Sequence, residues 1–142
     1  MAASANRATR EADMTAQTRA AVWLDHHEAR IFHVDLDGFD EQRLRAPLHH
    51  FHRHPKGSSE AHAHPEDEAR FFADIARALV SADEILILGP STAKSQLVKY
   101  FDSHGHALAG KVVAIETTDH PTDAQIVAHV RSHFRIPELR VR

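Results

Sequence analysis

Residues 84–89 form a continuous apolar run, EILILG, which is typical of a strand buried on both faces of a sheet. The run KVVAIE at residues 111–116 predicts another buried strand. Helical patterns alternate with these runs and begin at Pro65, at Ser91 and at Thr122, where Thr122 and the glutamine three residues on fit a capping box. Strands that alternate with helices predict a parallel sheet with right-handed crossovers.

The first part of the chain has the two-residue period of antiparallel strands. Strands are predicted over 20–25 and 29–36, joined by the polar connection HHE. A third strand is predicted over 42–53, after the turn LDGFDE. The order is therefore β-β-β-α-β-α-β-α, the succession of the ribonuclease H-like fold. We predict an α/β protein with a mixed five-stranded sheet flanked by helices.

The chain of 142 residues is the length of one domain, which we predict over residues 20–135. Residues 1–19 are predicted to be a disordered leader with Met14 as an alternative start, and residues 136–142 a tail. The absence of cysteine excludes disulfides and thiolate metal sites. No apolar run approaches the ~20 residues of a membrane span, and no signal-peptide pattern is present, so a cytoplasmic protein is expected. The sequence does not indicate an oligomeric state.

Histidine is the unusual component of this sequence, with fourteen residues, six of them within residues 49–64. The net charge is −3 with neutral histidines, and one added charge on each of the fourteen makes it +11. Because the ordinary imidazole pKa is about 6.5, much of this change falls near physiological pH. Affinity for an anionic partner is therefore predicted to depend strongly on pH.

Two binding roles and one neutral role fit the histidine-rich segment. Protonated imidazoles and basic side chains pair with RNA phosphates, and imidazole rings stack on unpaired bases. The predicted RNA-contacting residues are His50, His52, Arg53, His54, Lys56, His62 and His64. Alternatively, imidazoles that project to one face of an extended strand bind Zn, Ni or Cu. The ligands would then be His50, His52, His54, His62 and His64. In the neutral interpretation the segment is a solvated loop that binds nothing.

A nuclease activity is the first catalytic possibility for this succession of elements. Such enzymes hold two metal ions with carboxylates on the first strand, the first helix, the fourth strand and often the last helix. Asp25, residues 66–68 and Asp123 lie on comparable elements, but Gly89 and Pro90 stand where the fourth strand needs a carboxylate. We therefore interpret the acidic residues as turn and helix-cap groups. No catalytic residue is predicted, and a hydrolase or nuclease is the disfavoured alternative.

The segment GPSTAK joins a strand to a helix and is the candidate anion site. Ser91 and Thr92 lie at the helix N-terminus with Lys94 close behind, a geometry that can bind an anion, although Ser91 as a plain cap with Lys94 in solvent is the favoured interpretation. The spacing is not that of a phosphate-binding Walker loop.

Two further pairs of residues have side chains suited to metal binding or to proton transfer. His129 and His133 are four residues apart on the last helix, a metal-binding spacing, but they lie off the apolar stripe and are predicted to face solvent. Asp119 and His120 form a candidate acid–base pair, which turn chemistry explains more simply because no nucleophile accompanies them.

Three segments carry a family resemblance: AVWLDHHEARIFHVD, EILILGPSTAKSQLVKYF and KVVAIETTDHPTDAQIVAHVRSHF. Together they resemble the middle domain of archaeal and eukaryotic class-I peptide-release factors and of Pelota, and most closely the small bacterial proteins labelled "translational machinery protein". The resemblance covers roughly residues 20–135. It implies a ribonuclease H-like fold and a role in translation.

In release factors of this family the loop between the third strand and the first helix carries the Gly-Gly-Gln tripeptide that promotes ester hydrolysis. Here that position contains one glycine, Gly57, and no glutamine, so the resemblance does not imply peptide release. Pelota also lacks the tripeptide and acts on stalled ribosomes. The expectation is a non-catalytic factor that contacts the ribosome or its RNA (rRNA or tRNA), not DNA, during stalling or stress. A small histidine-rich metal-binding protein is the alternative.

Overall fold

The computed structural model describes residues 18–47, 65–104 and 106–137. Its strands are β1 (Arg19–Leu24), β2 (Glu28–Asp35), β3 (Gly38–Arg45), β4 (Glu84–Gly89) and β5 (Val112–Thr117). Its helices are α1 (Pro65–Leu79), α2 (Ala93–His104), α3 (His106–Ala109) and α4 (Asp123–Phe134). The strands form one sheet of order β3-β2-β1-β4-β5. β2 is antiparallel to β1 and β3, whereas β1, β4 and β5 are parallel. The predicted mixed five-stranded α/β fold is confirmed.

Helices cover both faces of the sheet, and each face has its own apolar core. α1 and α2 pack on one face around the fully buried side chains of Ile75, Leu97 and Phe101. α4 packs on the other face, where Ile126 and Val130 meet Trp23. β4 contributes alternate residues to both cores, which confirms the strand buried on both faces that its apolar run predicts.

The prediction that residues 111–116 form a second buried strand is wrong. β5 is an edge strand, and its side chains alternate between half-buried and exposed. Val113 is 43% exposed and Ile115 is 45% exposed. β5 occupies the end of the strand order and, in the described part of the chain, pairs with one strand only, so its apolar composition does not lead to full burial.

The third strand also differs from its prediction, since β3 begins four residues earlier than residue 42 and ends at Arg45. The cause is a tighter turn than LDGFDE suggested. The Asp35 carboxylate accepts hydrogen bonds from the amides of Asp37, at 2.9 Å, and Gly38, at 3.1 Å. Gly38 has φ of 155°, a backbone conformation that glycine adopts without the strain of a side chain.

The ends of the domain extend slightly beyond the predicted limits of 20 and 135. Thr18 accepts a hydrogen bond from the amide of Asp83, and β1 starts at Arg19. Ile136 is only 8% exposed and packs in the core under α4. The rest of the predicted leader and tail lies outside the described residues. No helix in the described ranges is long and apolar enough to cross a membrane.

Candidate functional site

The parallel strands β1, β4 and β5 all end at one edge of the sheet, which we call the carboxyl edge. Three connections meet there: residues 25–27 after β1, residues 90–92 after β4 and residues 118–122 after β5. β3 also ends at this edge, because Arg45 pairs with Glu28 at the start of β2. In open α/β sheets, ligands bind at the carboxyl ends of the strands. The carboxyl edge is therefore the candidate functional region.

The close approach of two strand ends shapes the centre of this edge. A Cβ atom on Gly89 would lie 2.3 Å from the backbone oxygen of Leu24, far inside van der Waals contact. Glycine at this position therefore lets β4 lie against β1. A carboxylate side chain at position 89, which the two-metal nuclease arrangement requires, does not fit without movement of the backbone.

Asp25, the first-strand candidate for a metal ligand, has the turn role that we predicted. Its Oδ1 atom accepts hydrogen bonds from the amides of His27, at 2.8 Å, and Glu28, at 2.9 Å. Its second oxygen lies 3.8 Å from Nε2 of His120. The carboxylate thus closes the β1–β2 connection and holds it beside the loop that follows β5.

A row of side chains crosses the sheet beneath α4, and sequence reasoning singled out none of its members. The strand register sets these residues side by side from β3 to β5: Arg43, Arg30, Trp23, Leu88 and Glu116. No local sequence signal marks them, because their adjacency arises only when the strands pair.

Trp23 is the centre of this row and is fully buried. Its indole nitrogen donates to the backbone oxygen of Asp119 at 2.9 Å, which fixes the loop after β5. The guanidinium of Arg30 stacks on the indole at 4.5 Å, and the ring of His120 lies against it at 5.0 Å. A cation and an imidazole on one indole combine packing with cation–π attraction.

Asp123, the last-helix candidate for a metal ligand, is held by two arginines. Arg30, whose side chain is 8% exposed, donates to Asp123 at 2.7 Å and to the Pro121 oxygen at 3.0 Å. Arg43 donates to the other carboxylate oxygen at 3.0 Å. The carboxylate therefore ties the first turn of α4 to β2 and β3, which leaves it poorly placed to bind a metal ion.

Glu41 on β3 shares a hydrogen bond with Asp123, and the two carboxyl groups shift in opposite directions. Burial, the hydrogen bond to Asp123 and the Asp123 charge raise the pKa of Glu41. Burial opposes ionisation of Asp123 as well, but the hydrogen bonds from Arg30 and Glu41 and the charges of both arginines outweigh it and lower its pKa. Of the two carboxyl groups, Asp123 therefore loses its proton at the lower pH.

A cleft of about 490 Å³ opens on the carboxyl edge, between the loop after β5 and the first turns of α4. Its lining residues are Leu88, Thr118, Asp119, His120, Pro121, Gln125, Ile126 and His129. Gln125 belongs to the capping box predicted with Thr122: its side chain accepts from the Thr122 amide at 2.9 Å, and its own amide donates to Oγ1 of Thr122 at 3.1 Å. The cap fixes the position of α4, and with it one wall of the cleft.

The structure brings both histidine-containing pairs into contacts at or near this cleft. His120 lies 3.2 Å from the Asp119 carboxylate. His129 and His133 converge on Glu116, with nitrogen-to-oxygen distances of 2.6 Å and 3.7 Å. Both residues are exposed, as predicted, and β5 places the Glu116 carboxylate opposite them.

The predicted anion site has a different local structure from the one expected. The helix begins at Ala93, so Ser91 is not its cap, and the Ser91 hydroxyl is buried without a hydrogen-bond partner among the described residues. Lys94 donates to the Ser91 backbone oxygen at 2.8 Å instead of extending into solvent. The Thr92 hydroxyl lies 3.4 Å from Nε2 of His26. Anion binding here stays a prediction.

The histidine-rich segment lies outside the described residues, and so do all of its predicted RNA and metal contacts. Its two described flanks can be placed. β3 ends at the carboxyl edge, and α1 ends near the opposite edge, where Lys111 donates to the Val80 oxygen. α1 has 15 residues and is about 22 Å long, so it begins toward the carboxyl edge. Elsewhere, in ranges 18–47, 65–104 and 106–137, no group of three or more His, Asp or Glu side chains is arranged to hold a metal ion.

No protein-family model and no curated protein matches the sequence. Solved structures do match. Pelota of Thermoplasma acidophilum is 25% identical with a TM-score of 0.51, over 82% of this chain and 32% of Pelota. The archaeal translation termination factor aRF1 is 12% identical with a TM-score of 0.52, over 83% of this chain and 39% of its own.

Dom34 of S. cerevisiae, a translation termination-like factor involved in RNA quality control pathways, is 12% identical with a TM-score of 0.50, over 82% of this chain and 37% of its own. The chain thus spans between 32% and 39% of each of these proteins. The predicted resemblance to the middle domain of release factors and Pelota is confirmed.

Proposed function

We propose that this protein is a translation-associated factor that contacts the ribosome or its RNA and does not hydrolyse the peptidyl-tRNA ester. The observation that carries the proposal is the match to Pelota over 82% of the chain. The similar folds of a translation termination factor and of a termination-like factor in RNA quality control support the same setting.

The sequence supports the non-catalytic part of the proposal. The connection between β3 and α1 holds one glycine and no glutamine, so the tripeptide that serves ester hydrolysis in release factors is absent. The same connection holds six histidines and the basic residues Arg53 and Lys56, which suit contact with RNA phosphates and unpaired bases. The two described flanks, the end of β3 and the start of α1, lie toward the carboxyl edge, and we propose that edge as the RNA-facing surface.

Co-sedimentation of the full chain with ribosomes tests the proposal. We expect more protein in the ribosome pellet at about pH 6 than at about pH 8, because imidazoles gain charge across that interval. The paired variant His52→Ala, His54→Ala removes two of the six histidines of the segment and should lose part of the pH dependence. The control His104→Ala, His106→Ala removes two histidines from the end of α2 and the start of α3 and should behave like the wild type. Protein that stays in the supernatant at both pH values contradicts ribosome contact, and peptidyl-tRNA hydrolysis above background contradicts the non-catalytic role.

A further inference from the structure

The cleft on the carboxyl edge combines an apolar floor with unused polar groups. Leu88 and Ile126 are almost fully buried and form that floor. The hydroxyl oxygen of Thr118 is buried and has no hydrogen-bond partner among the described residues. A buried hydroxyl without a partner is unfavourable unless a ligand or an ordered water satisfies it. The volume of about 490 Å³ falls within the range of small-ligand sites.

The aromatic wall of the cleft is both anchored and open. His120 packs on Trp23, which Arg30 and the Asp119 oxygen hold in place, yet the His120 side chain is 62% exposed. One surface of the imidazole is therefore available to a planar ligand. Gln125 adds an amide NH2 group at the cleft, since its oxygen is the atom engaged in the cap. Ring stacking and amide hydrogen bonds are the contacts by which proteins bind unpaired nucleobases.

The charges around the cleft decide which part of a nucleotide enters. Asp25 faces His120 at 3.8 Å, Glu116 faces His129 at 2.6 Å, and the Asp119 carboxylate is 95% exposed at the rim. These carboxylates disfavour a phosphate inside the cleft, and among the described residues no lysine or arginine lines it. A neutral heteroaromatic ring suits the site, with the phosphates left in solvent.

We propose that this cleft binds an unpaired nucleobase presented by single-stranded RNA. The inference rests on the proposed contact with ribosomal or transfer RNA and identifies the chemical group recognised. The base stacks on His120 above the Leu88 and Ile126 floor, while the Thr118 hydroxyl and the Gln125 amide hydrogen-bond its edge. Recognition through the base, not the phosphate, distinguishes this site from an anion site.

Titration of the full chain with adenosine and with adenosine 5′-monophosphate, followed by NMR, tests the inference. Adenosine should bind, and the monophosphate should bind no more tightly and with little dependence on salt. His120→Ala should weaken adenosine binding about tenfold, since stacking contributes about 1–3 kcal/mol per base. His120→Phe keeps a ring and should restore most of the affinity. The matched control is His104→Ala, because His104 also stacks on an aromatic ring, Tyr100 at 4.5 Å, at the far end of α2.

Three results overturn the inference. They are no binding of adenosine, much tighter and salt-sensitive binding of the monophosphate, or equal losses of adenosine affinity in the His104 and His120 variants. Ribosome co-sedimentation of the same variants separates the two proposals. If ribosomes bind but adenosine does not, the cleft inference fails and the proposed function stands. If adenosine binds in the cleft but ribosomes do not bind, the proposed function fails and a nucleobase site remains.

Discussion

Gly89→Ala is expected to lower the free energy of unfolding by about 3 kcal/mol, near the upper end for overpacking in a rigid interior. The added Cβ would lie 2.3 Å from the backbone oxygen of Leu24. A backbone atom in a central strand cannot rotate away as a flexible side chain does, so β4 and β1 must separate. Urea unfolding followed by Trp23 fluorescence measures the change.

Gly110→Ala is the matched control for this substitution. The same added methyl group would have its nearest neighbour, the Ala107 oxygen, at 3.9 Å, which is an ordinary contact. Gly110→Ala should change the free energy of unfolding by no more than about 0.5–1 kcal/mol, in either direction. Equal stabilities for the two variants would show that β1 and β4 are not in close contact at Gly89.

Asp123→Asn is expected to cost about 2–3 kcal/mol of stability. The substitution keeps the shape of the side chain but removes the charge that balances Arg30, whose side chain is 8% exposed. An uncompensated buried charge costs about 3–5 kcal/mol, and we expect less here because the Asp123 side chain is 31% exposed. Asp74→Asn removes a charge from the exposed ion pair with Arg77 and should cost less than about 1 kcal/mol.

The pH dependence of this loss follows from the lowered pKa of Asp123. A carboxyl group with a lowered pKa stabilises the fold above its ordinary value, 3.8, and loses that contribution as the pH falls through the folded value. The difference between wild type and Asp123→Asn should therefore shrink below about pH 4. A deficit that is constant from neutral to acidic pH, or one equal to that of Asp74→Asn, would contradict the role of the buried pair.

Local signals in the sequence account for most of the elements. The apolar run of β4, the proline that opens α1 and the capping box at Thr122 all depend on neighbouring residues, and the structure has each of them. β5 shows where local signals fail. Its composition resembles that of β4, but its exposure follows from its place at the sheet edge, which depends on the whole topology.

The candidate site was predictable only in part, for a related reason. The sequence singles out four residues of the site as candidates for binding or proton transfer: Asp119, His120, Asp123 and His129. The contacts that hold the site together come from residues distant in sequence. Arg30 reaches Asp123 across 93 residues, and Trp23 reaches the Asp119 oxygen across 96. Such contacts depend on strand register, which no short motif encodes. The family resemblance supplied the fold without these contacts.

Site-specific photo-crosslinking to ribosomal RNA tests the central claim most directly, namely that the carboxyl edge meets RNA in translation. A photoreactive amino acid replaces His27, in the β1–β2 connection, or His104, at the far end of α2. We predict RNA adducts from position 27 and almost none from position 104. Adducts mainly from position 104, or none from either position in the presence of ribosomes, would contradict the claim.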